Sequence, residues 1–163
     1  MGQEELGRAF LQQAQDHLST DFMPKIEKCV QMLDEQEIWW RAHESNNSVG
    51  NLLLHLSGNV RQWIISGLGG APDRRERSLE FSERGPAAKI DLWRGLKATV
   101  EDAGQVLRDF PPDRLLEVRR IQGYSKTALQ AVFHVVEHFS FHTGQIVYIA
   151  KLKKGMDLKF YNL

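Results

Sequence analysis

Apolar positions recur at steps of three and four residues over four long stretches of the chain, the mark of amphipathic helices. Leu6, Phe10, Ala14 and Leu18 make one apolar face from Glu4 to about Leu18. Ser19-Thr20-Asp21 is a potential cap, and Pro24 follows it. Proline is tolerated in a first turn but removes a hydrogen bond from a helix interior. The pattern therefore predicts either a kink in one long helix or a short break between two. Ile26, Val30 and Leu33 carry the face on to about Asp34, and Trp39-Trp40 reads as cover for one end of the core. A second helix is expected from Val49 to about Leu68, begun by Asn46-Asn47-Ser48 and stopped by Gly69-Gly70.

Residues 71–85 are the least periodic part of the chain. Pro72, Gly85 and many charges mark a surface connection, tacked down by Leu79 and Phe81 and long enough to cover a site. Pro86 suits the first turn of a third helix, which ends at Pro111-Pro112. Leu115 to Gln122 reads either as a short extended segment or as an irregular link. Ser125 is the expected cap of the last helix, from about Thr127 to Lys153, with Gly155 as its stop and Phe160 and Tyr161 docking the tail. Four such stripes in one chain of 163 residues predict a single all-α domain, 1–163, folded as a four-helix bundle.

Composition narrows the function. Lys+Arg and Asp+Glu are both 21, so the formal net charge is zero, which argues against a nucleic-acid partner. Arg74, Arg75 and Arg77 form a basic cluster, but Asp73, Glu76, Glu80 and Glu83 dilute it, and it reads as a solvated loop. No apolar run reaches about 18 residues, and the first residues are polar and acidic; neither a membrane span nor a signal peptide is expected, and the cytoplasm is the expected location. The one cysteine, Cys29, lies at helical spacing among Ile26, Val30 and Leu33 and reads as a packed core thiol.

The last helix carries the chemistry. Along Ala131 to Ile149 the apolar run is interrupted by His134, His138 and His142, each four residues after the one before. Each step of four is one helical turn plus about 40°, so His138 and His142 point into the same space and can grip one metal ion. His134 lies one turn further back on a drifting stripe. Two ligands from one helix leave a metal under-held. His55, mid-helix among leucines, is the best candidate for a third, while His17 and His43 look like surface residues. Three imidazoles with an open fourth position make a catalytic rather than a closed structural site. Zn²⁺ suits it, and imidazole also accepts Ni²⁺, Fe²⁺ and Mn²⁺. Glu137 precedes His138 directly and points about 100° away from it, so this is not the His-Glu-x-x-His arrangement of metalloproteases. Asn59, His134 and Gln145 are candidates for supporting or pocket roles, and Arg61 reads as solvent-exposed. The alternative is a structural histidine ladder.

Two motifs in order, Asn47-Ser48-Val49-Gly50-Asn51-Leu52-Leu53-Leu54-His55-Leu56-Ser57-Gly58-Asn59-Val60-Arg61-Gln62-Trp63 and His138-Phe139-Ser140-Phe141-His142-Thr143-Gly144-Gln145-Ile146, resemble the DinB/YfiT-like superfamily, and more narrowly an uncharacterised bacterial branch of it. The resemblance covers nearly the whole chain. It implies a four-helix bundle with up-down-down-up topology, often a homodimer, and a divalent metal, Zn or Ni, on His55, His138 and His142. It also implies chemistry on a small-molecule substrate: relatives include S-transferases and isomerases that use low-molecular-weight thiols such as bacillithiol or mycothiol. The expected function is a metal-dependent thiol S-transferase in detoxification; the alternatives are a metal-dependent hydrolase and a non-catalytic, dimeric stress-response bundle.

Overall fold

Helix α1 (Gln3–Asp16) runs through a π-turn (His17–Phe22) into α2 (Met23–Met32). The reason is local. Pro24 has no N–H to give to the turn before it, and the Met23 N–H bonds back to the Leu18 carbonyl, five residues earlier. The Ser19 and Thr20 hydroxyls donate to the carbonyls of Gln15 and Asp16 at 2.9 and 2.6 Å. The helix therefore widens by one residue instead of stopping, which realises the first of the two outcomes the sequence allowed. Its buried stripe runs through Gly7, Leu11, Ala14 and Leu18. Leu6, expected on the core face, is exposed, because the link after Pro112 packs against the Gly7 side of α1.

The computed structural model describes residues 2–85 and 87–160. A short 3₁₀ turn (Glu37–Trp39) places the Trp39 indole over the start of α3, where its Nε1–H donates to the Ala87 carbonyl at 3.2 Å. Helix α3 (Val49–Val60) begins with a capping box: the Ser48 hydroxyl accepts from the Asn51 N–H, and the Asn51 side-chain oxygen accepts from the Ser48 N–H, both at 3.2 Å. A second π-turn (Arg61–Ser66) extends this helix.

The segment 71–85 has more structure than its aperiodic sequence predicts. Residues Arg77–Ser82 form one short helix, α4. The Asn51 side-chain amide donates to the carbonyls of Glu80 and Glu83, at 2.9 Å each, and ties α4 to the start of α3. Helix α5 (Lys89–Asp109) follows; Pro86, expected in its first turn, lies outside the described residues.

The helical bundle expected from the sequence carries one small sheet. Strands β1 (Val118–Ile121) and β2 (Tyr124–Thr127) pair antiparallel, with Val118 opposite Thr127 and Ile121 opposite Tyr124. Gln122 and Gly123 form the two-residue turn with φ of 53° and 83°, the primed geometry that matches strand twist. Ser125 is thereby held in a strand and cannot cap the last helix. Thr127 does so instead: its hydroxyl accepts from the Gln130 N–H at 3.2 Å and the Gln130 side chain accepts from the Thr127 N–H at 3.0 Å. Helix α6 (Ala128–Lys154) then runs to Gly155 at φ 61°.

The continuous α1–α2 helix, α3, α5 and α6 form a four-helix bundle, with α3 packed on α5 and α6, and α2 on α6. Leu52, Leu53, Leu56, Ile64, Leu96 and Phe139 are among the fully buried side chains at its centre. Phe160 packs against this core, as expected of the tail, and Tyr161 lies outside the described residues.

Candidate metal centre

The apolar stripes of α3 and α6 face each other, and each carries its histidines into the contact. His55 of α3 meets His138 and His142 of α6. The His138 Nε2 lies 3.0 Å from the His55 Nε2 and 3.2 Å from the His142 Nε2. One ring nitrogen from each of the three falls within 4.8 Å of the others, so the group could hold a metal ion. His55 and His142 are buried and His138 is half-buried.

The outer nitrogens decide which way the lone pairs point. The His55 Nδ1 is 2.8 Å from Glu80 Oε2. An ionised carboxylate only accepts, so Nδ1 carries the proton and the lone pair of Nε2 faces the cluster. Burial pushes the Glu80 carboxyl up, but hydrogen bonds from Arg75 and His55 outweigh it and hold the carboxyl below the usual range. The His142 Nδ1–H donates to Gln145 Oε1 at 2.7 Å, which turns its Nε2 inward in the same way.

This geometry tests whether the three side chains suit a metal. Two lone pairs face His138 Nε2 at once, and a single proton there satisfies one of them. A second proton is disfavoured: burial, with the neighbouring imidazoles adding to it, pushes His138 down to about 3, and burial also lowers His142. A cation at the centre satisfies all three nitrogens. Bond lengths of about 2.0–2.1 Å put tetrahedral ligands about 3.3 Å apart and ligands on an octahedral face about 3.0 Å apart. Two of the three edges, at 3.0 and 3.2 Å, match these spacings, and the third lies within 4.8 Å.

The support behind His55 comes from a segment that sequence reasoning treated as solvated. Arg75 Nε and Nη2 donate to the two oxygens of Glu80 at 2.6 and 2.8 Å, and Arg75 Nη1 donates to Gln62 Oε1 at 2.9 Å. The Gln62 amide donates in turn to Asp73 at 2.8 Å. The Arg75 side chain is 4% exposed and that of Glu80 10%. The basic cluster is therefore split. Arg74 and Arg77 are exposed, and Arg75 is part of a buried ion pair behind a candidate ligand. No periodicity signals Arg75 or Glu80. The one available signal is Gly58, three residues after His55 in a helix interior. A Cβ there would stand 2.0 Å from Glu80 Oε1 and 2.9 Å from Arg75 Nε, so glycine leaves the room the carboxylate occupies. This contact corrects the solvated-loop expectation for residues 73–83, in which segment 71–85 reaches the site through α4.

The remaining candidates take different places. His134 stands outside the cluster, its ring 4.4 Å from Trp63 and 5.5 Å from His138, and burial holds its pKa down. Asn59 is buried with its Oδ1 unpartnered. Gln145 holds His142 but is itself exposed, on the side of α6 facing Trp40. Arg61, His17 and His43 are at the surface, as expected; His17 Nδ1 pairs with Asp21 at 2.6 Å. Beside the cluster, a cleft of about 530 Å³ opens between α3, α6 and the β1–β2 hairpin, with His55 and His138 at its wall. Gly67 lets the hairpin sit there: a Cβ on it would stand 2.5 Å from Ile121 Cδ1.

The bundle is similar to a solved structure, a DinB-like protein from Bacillus cereus, with a TM-score of 0.70, covering 94% of this chain and 95% of that one at 14% identity. Among proteins of curated function, none matches. Residues 5–163 match the family described as a protein of unknown function, DUF1572, which is DinB-like. The chain belongs to the DUF1572 family of DinB-like proteins.

Proposed function

We propose that this chain binds one divalent metal ion, Zn or Ni, on His55, His138 and His142, and uses it to transfer a low-molecular-weight thiol to an electrophile. The observation that carries the reading is the convergence of three imidazole Nε2 atoms, two of them with their outer nitrogens anchored, at the wall of an open cleft. A closed structural site would need a fourth protein ligand. Among the described residues no further His, Cys, Asp or Glu joins the group. When bound, the metal supplies Lewis acidity that lowers the pKa of a thiol at the open position.

The chain's own residues do the rest. Glu80 and Gln145 fix the tautomers of His55 and His142, and Arg75 keeps Glu80 ionised. The cleft admits a small molecule from the α3–α6 side. In the transfer a sulfur–carbon bond forms, the bond to the leaving group breaks with its electron pair, and the thiol proton goes to solvent. The same centre would serve hydrolysis with water in place of the thiol.

Two further proposals go with this reading. A second copy of the chain pairs along the exposed apolar row Phe141, Tyr148 and Leu152 of α6, which sedimentation of the parent against a Tyr148→Glu variant tests. A cytoplasmic location agrees with the described residues having no helix long and apolar enough to cross a membrane.

Elemental analysis of untagged protein comes first, beside His55→Ala and His142→Ala. About one metal per chain in the parent, lost in both variants, supports the site. Metal-loaded protein is then screened with bacillithiol, mycothiol and glutathione against a reactive electrophile. No metal after reconstitution with Zn²⁺, Ni²⁺ or Mn²⁺ ends the metal reading; loaded protein silent with every thiol leaves the metal and ends the transferase.

A further inference from the structure

The walls of the cleft beside the histidines carry a charge pattern that the metal centre does not use. Ten residues line it; three are cationic (Arg75, Arg77 and Lys126) and none is acidic. The charge of Arg75 is matched by Glu80. Arg77 and Lys126 are exposed, and neither has a carboxylate within ion-pairing distance among the described residues. Arg77 lies over the Phe81 ring at 4.8 Å, a contact that favours this position of its guanidinium. Lys126 is held on β2, opposite Arg119 in the ladder.

The same walls hold polar atoms with nothing to bond to. The Trp63 Nε1–H is buried and unpartnered, on a side chain only 4% exposed. The His138 Nδ1 and the Asn59 Oδ1 are likewise buried and unpartnered. His134 stands between these two rings. Leaving a buried donor without a partner is costly, and such groups need an explanation. The orphaned indole donor and two unmatched cations around one cleft call for an acceptor that carries negative charge.

We propose that this cleft is an anion-recognition subsite, which takes the carboxylate or phosphate group of the small molecule that reaches the histidine cluster. Arg77 and Lys126 supply the charge at the mouth, and the Trp63 indole N–H is the inner donor. This rests on the reading of the cleft as the substrate entrance but does not need the metal, so the two fail separately. It narrows the substrate class from any small molecule to an anionic one.

The Trp63 indole N–H gives a direct readout by ¹⁵N NMR, assigned with Trp63→Phe. The full chain is titrated with inorganic phosphate and with succinate, against chloride at matched ionic strength, both as purified and after dialysis against a chelator. The expected result is a saturable shift of the Trp63 indole with one or both oxyanions, present in both preparations, with the indoles of Trp39, Trp40 and Trp93 unmoved. Phosphate alone or succinate alone identifies which group the cleft takes. Arg77→Ala and Lys126→Ala alter exposed side chains, and their combination is expected to weaken binding about tenfold or more. Three results overturn the proposal: shifts that never saturate or that chloride reproduces, an affinity unchanged in the double variant, or binding that vanishes on chelation, which would place the anion on the metal.

Discussion

Removing the Glu80 carboxylate tests the support behind His55 most sharply. Glu80 accepts from His55 Nδ1 at 2.8 Å and from Arg75 Nε and Nη2 at 2.6 and 2.8 Å, with little exposure. In Glu80→Ala the guanidinium of Arg75 stays buried without its counter-charge, a loss of about 3–5 kcal/mol when one partner of a buried pair is deleted. That is a large fraction of the roughly 5–15 kcal/mol that holds a domain folded. The unpaired His55 N–H also frees the ring to turn, and loss of such a partner lowers metal affinity about 10–100-fold. Arg75→Met added to Glu80→Ala removes the orphaned charge, so the double variant should regain stability without regaining metal affinity. Urea unfolding of chelated protein reads the first quantity and competition with a metallochromic dye the second. The pH dependence has a definite sign. Because the Glu80 carboxyl lies below its usual range when folded, its stabilisation is present above the unfolded carboxyl pKa of about 4.3 and is lost as pH falls through the lower folded value. Glu80→Gln should lack that share of the acid sensitivity. A Glu80→Ala variant that loses less than about 1 kcal/mol, with no rescue from Arg75→Met, would falsify the buried pair as a source of order at the site.

Gly58→Ala should destabilise the protein despite the roughly 1 kcal/mol that alanine gains over glycine in a helix, because its Cβ would stand 2.0 Å from Glu80 Oε1; a higher melting temperature would mean that the carboxylate does not sit there. Gln145→Ala removes the 2.7 Å acceptor of His142 from an exposed position, so metal affinity should fall while urea stability stays within about 0.5 kcal/mol. Cys29 is buried, and burial pushes its thiol up to about 11; a disulfide reagent at pH 8 should label it only as fast as the protein opens, and immediate labelling of native protein would contradict its packing.

The sequence by itself determined what one helix can determine. The four-residue spacing of His138 and His142 fixes them to one face of α6 whatever surrounds it, and the apolar steps around His55 fix it to the buried side of α3. The core position of Cys29 and the Ser48 cap follow from the same local rules, as does a disturbance of the helix at Pro24, whereas its outcome as a π-turn in a continuous helix does not. Only the tertiary structure decided how far apart α3 and α6 lie, and hence that three Nε2 atoms meet at 3.0 and 3.2 Å. It also decided the fate of the aperiodic stretches. Arg75 and Glu80 are charged residues in a charged segment, and composition assigns such residues to solvent. They are buried because Asn51 pulls α4 onto α3 and Gly58 leaves a carboxylate-sized gap beside His55. The β1–β2 hairpin was only half legible for a related reason: four-residue strands carry too few alternations to decide between an extended segment and an irregular link over residues 115–122, and what holds the hairpin over the cleft is Ile121 against Gly67, a contact between residues 54 positions apart. Periodicity records which face of an element is buried. It carries no record of which distant segment covers that face, because that choice is made by shape and charge matching across the folded chain.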